Sequence, residues 1–182
     1  MRLRDELGVT EPLLRVRAWP LAVVNGEPIT GSFLAPEVTA LQRGPAPELF
    51  AGFDAARFPA STRPAMASAA AAYRAGPDVG EAFSLAVRDA LWEQGRDVAD
   101  PSVLAALRTG LDVPDPTSSD DDSIDVDLAE GRQRGVTGSP HFFTPSCDFF
   151  CPSLDISHGE DGQMQVRFDI EGFRAFVQAA LA

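Results

Sequence analysis

Gly135-Val136-Thr137-Gly138-Ser139-Pro140-His141-Phe142-Phe143 is a small-residue turn that runs through a Ser-Pro dipeptide straight into an apolar segment. Proline donates no ladder hydrogen bond, so Pro140 belongs at the first residue of a strand or on a sheet edge. An X-Pro bond in a tight turn is also where a cis peptide is tolerated, since the trans preference there is only about 0.5–1 kcal/mol. A cis Ser139-Pro140 bond would leave the Ser139 backbone N–H and C=O facing outward. Such an edge can pair with an extended peptide by strand addition. Taken alone, the dipeptide simply marks a loop that begins a strand.

Working outward, a helix is expected from Ile124 to Arg134, with Arg132 and Arg134 at its C-terminal end, where cations are favoured. Gly135 stops it. After Phe143 the chain turns at Thr144-Pro145-Ser146. Phe149 to Ile156 is apolar enough for a second strand, and Met164 to Phe168 for a third, across a turn at Gly159-Glu160-Asp161-Gly162. Periodicity does not say which of the three pair. Glu171 to Leu181 is a closing amphipathic helix with Phe173, Phe176, Val177 and Ala180 facing inward.

Upstream, Leu14, Val16 and Ala18 alternate with Arg15 and Arg17, which is strand periodicity, so Leu13 to Trp19 reads as a strand ended by Pro20. Val23 to Pro36 reads as loop around Asn25-Gly26. Helices are expected from Pro36, then briefly from Glu48 to Phe53, then from Ser61 through the alanine-rich run to Tyr73. Gly76-Pro77-Asp78 separates that run from a helix with Phe83, Val87, Ala90 and Leu91 on one face, which Gly95 ends. Asp100-Pro101 opens the next, with Val103, Leu104 and Leu107 as its apolar stripe. Asp112 to Asp125 reads as a linker whose Asp120-Asp121-Asp122 run is a solvated helix start.

The proline stretch, following Gly131-Arg132-Gln133-Arg134, resembles the cis-proline loop of DsbA-like thioredoxin-fold proteins, in the branch of FrnE-like oxidoreductases and 2-hydroxychromene-2-carboxylate isomerases. The run Arg88 to Leu104 (RDALWEQGRDVADPSVL) resembles a helical segment of the same family. The resemblance implies an α/β thioredoxin-like fold in two parts. Residues 1–35 and 112–182 would form the core and residues 36–111 an all-helical insertion. It also implies that Thr137, Gly138, Ser139, Pro140 and His141 contact a thiol- or disulfide-containing peptide or small molecule. The family's Cys-x-x-Cys strand and helix have no counterpart here. The charged stub Arg2 to Leu7, closed by Gly8, would then be the tail of the family's first helix, with the domain starting before Met1. Two other functions follow from the same loop. One is an isomerase that takes its thiol from glutathione. The other is a non-catalytic peptide-binding module.

Composition narrows the partners. The formal charge is −12, with 27 acidic residues against 15 basic ones, all arginine. That argues against nucleic acid and anionic membranes. No apolar run reaches the length of a membrane span, and no apolar core follows the N-terminal charges as a signal peptide requires. The expected location is cytoplasmic. Two cysteines are too few for a disulfide scaffold. Cys147 and Cys151 are four residues apart, about 13 Å on an extended segment, so they read as ordinary thiols on a hairpin. His141, Cys147, Cys151 and His158 could form a zinc set by type, but their spacing fits no finger pattern, and no metal is expected. No cofactor is expected outside the glutathione alternative.

Overall fold

Residues 14–159 and 164–182 are described by a computed structural model. They form a mixed α/β structure, with seven α-helices and two two-stranded antiparallel sheets among the described residues. The helices are α1 (Leu21–Asn25), α2 (Gly31–Arg43), α3 (Arg63–Ala75), α4 (Pro77–Trp92), α5 (Pro101–Gly110), α6 (Ser118–Gln133) and α7 (Ile170–Leu181). The strands are β1 (His141–Phe143), β2 (Asp148–Phe150), β3 (Leu154–His158) and β4 (Met164–Phe168). Among the described residues no helix is long and apolar enough to cross a membrane. The expected stub Arg2 to Leu7 lies outside the described residues, as does most of the Gly159–Gly162 turn.

The main core belongs to the helical block. Phe83 of α4 is fully buried among Ala65, Ala71 and Ala72 of α3, Ala90, Val98, Leu104 of α5 and Val113. Small side chains on α3 let α4 and α6 approach it closely, and α3 packs against both. The predicted punctuation holds here. Gly76 and Pro77 separate α3 from α4, and the Asp100 carboxylate caps α5 by accepting from the Ser102 N–H at 2.7 Å.

Several expected elements are corrected. Leu14 to Trp19 is extended but belongs to no sheet. Its alternate backbone N–H groups donate to side chains on three helices: Leu14 to Glu81 at 3.2 Å, Val16 to the Tyr73 hydroxyl at 2.8 Å, and Ala18 to Asp127 at 2.8 Å. Side chains take the place of a partner strand, so the period of two survives without a ladder. The expected loop Val23 to Pro36 is mostly helical. Gly26, at φ +76°, ends α1, and α2 starts at Gly31 because the Thr30 hydroxyl caps the Phe33 N–H. Pro36 therefore sits inside α2 rather than at its start. Glu48 to Phe53 forms turns instead of a helix.

The linker is shorter than expected. Helix α6 begins at Ser118 through a reciprocal cap between Thr117 and Asp120. Asp120 is not a solvated residue. It is 5% exposed and paired with Arg74 at 2.9 Å. Phe149 to Ile156 is also not one strand, because Cys151 adopts a left-handed φ of +46° and splits it. β2 pairs with β1, and β3 pairs with β4.

Candidate functional site

Helix α6 delivers the chain to the loop. Gly135, at φ +74°, follows its last turn, and the Val136 N–H donates back to the Gly131 carbonyl at 2.9 Å. The Trp19 ring packs directly on Gly131, where a Cβ would come within 2.6 Å of it. The loop then enters β1 through a cis Ser139–Pro140 peptide.

The pleat of the β1–β2 hairpin separates two faces. Phe142 and Phe149 are cross-strand partners on the inner face, and both contact Phe176 of α7, with ring centroids 4.6 and 5.6 Å away. α7 starts where Asp169 caps the Gly172 N–H at 2.9 Å, and Phe176 is its buried residue, while Ala180 is exposed rather than facing in. The outer face carries His141 opposite Phe150 and Phe143 opposite Asp148.

On that face the His141 side chain is only 5% exposed. Its ring stacks on Phe143 at 4.8 Å and meets Phe150 edge-on at 5.9 Å. The Thr137 backbone N–H can only donate, and it donates to His141 Nδ1 at 3.3 Å. In the neutral ring Nε2 then carries the hydrogen and donates to Asp148 at 2.8 Å. Both nitrogens are occupied, so neutral His141 has no lone pair left to act as a general base. It ties the loop to the hairpin. Gly138 fits because the Phe150 ring lies where its side chain would go, 2.8 Å from an added Cβ. The Arg134 guanidinium lies 5.2 Å from the Phe143 ring centroid. Ser139 and Pro140 are exposed.

The strand edge is the chemically open part. The Cys151 N–H donates to the Pro140 carbonyl at 3.0 Å, and the Thr144 N–H to the Cys147 carbonyl at 2.8 Å. In an antiparallel ladder these bonds alternate. Residues 140, 142 and 144 therefore direct their main-chain groups at β2, while His141 and Phe143 direct theirs at the opposite edge. No strand among the described residues pairs with that edge.

Thr137, Gly138 and His141 thus share one packed cluster, with Ser139 and Pro140 at its exposed rim. The sequence reading missed Asp148, Phe150 and Arg134. The alternation His141-x-Phe143 and Asp148-x-Phe150 about the Thr144–Cys147 turn is the signal that joins them.

Cys147 and Cys151 are free thiols at opposite ends of β2. Among the described residues no three His, Cys, Asp or Glu side chains gather as a metal site. Cys147 is exposed on the hairpin turn, with the Thr144 and Ser146 hydroxyls 3.5 and 3.6 Å from its sulfur. Cys151 is half-buried. Burial, and secondarily the Glu37 carboxylate, push its thiol pKa up. Less of it is thiolate at neutral pH, and the thiolate is the nucleophile. Iodoacetamide at pH 7.5 should therefore alkylate Cys147 at least tenfold faster than Cys151, as followed by peptide mass spectrometry. Equal rates would contradict this placement.

Comparison of the chain with protein-family models, with curated proteins and with solved structures finds no match.

Proposed function

We propose that the chain is a DsbA-like module with a thioredoxin-like core and a helical insertion, and that it binds an extended thiol- or disulfide-containing peptide along the edge of β1 opposite β2. The observation that carries this reading is the β1 edge that no strand among the described residues pairs with. The main-chain groups of His141 and Phe143 point away from β2, beside a loop held in shape by His141. Strand addition takes its affinity from such main-chain groups and its specificity from neighbouring side chains. Phe143, Phe150 and Arg134 are those neighbours. The layer of α7 on the β1–β2 hairpin supports a helix-on-sheet core, and the block of α2 to α5 supports the insertion. The role is binding rather than thiol exchange by this chain's own cysteines. The two thiols sit about 13 Å apart along β2, beyond disulfide reach.

The test uses two variants that lose the same ring. Phe143→Ala keeps the edge N–H, whereas Phe143→Pro removes it without breaking a β1–β2 hydrogen bond. Binding of an extended hexapeptide with a central cysteine, capped as a mixed disulfide, is measured by amide chemical shifts. It should be at least tenfold weaker for Phe143→Pro than for Phe143→Ala, with shifts centred on Gly138, His141 and Phe143. Equal affinity in the two variants, or shifts elsewhere, would rule out pairing at this edge. A glutathione titration in the same spectra separates the peptide reading from the isomerase-like one.

A further inference from the structure

The contacts of His141 divide into two kinds. Phe143 stacks on its ring, Phe150 meets it edge-on, and the Asp148 carboxylate takes the Nε2 hydrogen. All three residues belong to the β1–β2 hairpin, so the hairpin carries the ring as part of itself. The other contact reaches the loop. The Thr137 N–H donates to Nδ1, and among the described residues 137–139 make no further hydrogen bond. Gly138 adds only its apolar contact with the Phe150 ring. Thr137 and Ser139 are exposed, whereas the His141 side chain is buried.

That single bond requires the neutral ring. Neutral imidazole has one acceptor nitrogen and imidazolium has none. On protonation Nδ1 gains a hydrogen aimed at the Thr137 N–H, so two donors face each other. A buried donor without an acceptor is costly, and the packed rings leave water little access to Nδ1. The Nε2–H keeps Asp148, and that contact becomes an ion pair, which holds the ring on the hairpin. The loop is the part that yields. Charged groups around the ring are few. Asp148 comes from β2, and Arg134, just after α6, lies over the Phe143 ring and is paired with Glu130. Gly138, Ser139 and Pro140 bring no charge from the loop. Histidine is the side chain that ordinarily changes charge between about pH 5 and 8.

We infer that His141 is a pH-operated latch: its neutral ring holds residues 137–139 against the hairpin, and its protonation releases them. Control of the β1 edge by this latch rests on the peptide reading above, because the loop flanks that edge. The latch itself is tested on the full chain without peptide, by following imidazole signals and backbone relaxation between about pH 8 and about pH 5. Order parameters at Thr137, Gly138 and Ser139 should fall from about 0.85 to below about 0.6, with the midpoint of the His141 ring. His141→Gln should abolish the transition. Asp148→Asn and His158→Gln should each retain it, which separates His141 from its carboxylate partner and from the other histidine. Unchanged order parameters while the His141 ring titrates would overturn the inference, as would a ring that stays neutral across the range. A transition that persists in His141→Gln, or vanishes in Asp148→Asn or His158→Gln, would overturn it too. The capped hexapeptide should bind at least tenfold more weakly at the acid end, and equal affinity at both ends would overturn control of the edge. If the loop is released with the ring but the hexapeptide binds at neither end, the latch stands and the β1-edge reading falls.

Discussion

Replacing Phe83 by alanine is expected to destabilise the protein by about 3–5 kcal/mol. Phe83 is fully buried, and the residues packed around it include Ala65, Ala71, Ala72 and Ala90. Alanines have no rotamers with which to close a cavity, so most of the vacated volume stays empty. The cost then lies near the upper end for such substitutions. Set against a usual net stability of about 5–15 kcal/mol, the loss could leave the helical block largely unfolded at 37 °C. Urea denaturation followed by far-ultraviolet circular dichroism gives the value. Phe83→Leu, which keeps most of the volume, should cost less than half as much. A loss below about 1 kcal/mol for Phe83→Ala would mean that α3 and α4 can collapse onto the site.

Replacing Asp120 by alanine should cost about 2–3 kcal/mol, by removing a helix cap and a buried charge partner together. The carboxylate accepts from the Thr117 N–H and hydroxyl, both at 2.7 Å, and from Arg74 at 2.9 Å. Arg74 is 47% exposed and can be rehydrated, which keeps the cost below that of a fully buried pair. Hydrogen bonding from Arg74, reinforced by Thr117, holds the Asp120 pKa down at about 2. The unfolded chain binds this proton near the ordinary value of 3.8. The stabilisation is therefore complete above about pH 4 and is lost as pH falls toward 2. Wild type should lose stability across that window more steeply than Asp120→Asn. Parallel acid profiles for the two proteins would show that the pair contributes nothing to folding.

Local chemistry alone was enough to place much of this chain. Gly76-Pro77, Asp100-Pro101 and Gly135 mark helix boundaries because glycine and proline restrict the backbone wherever they occur. The apolar stripes of α4, α5 and α7 were legible for the same kind of reason, since a period near 3.6 reports one buried face. Thr30 before Gly31, and Thr117 three residues before Asp120, were legible capping signals that the sequence reading passed over. The strand entered through Ser139-Pro140 was also visible, because proline is confined to strand starts and edges.

Tertiary structure alone decided what those elements meet. The alternation from Leu14 to Ala18 reports an extended backbone with one face covered. It is silent on whether the N–H groups meet another strand or, as here, Glu81, Tyr73 and Asp127. The run Asp120-Asp121-Asp122 shows three charges but not which one is buried, since Arg74 and Arg63 come from 46 and 58 residues away. His141 and Asp148 meet only once the hairpin register is set, and with them the state of both ring nitrogens. In each case the deciding partner is distant in sequence. A distant partner is fixed by packing, which no local pattern of residues encodes.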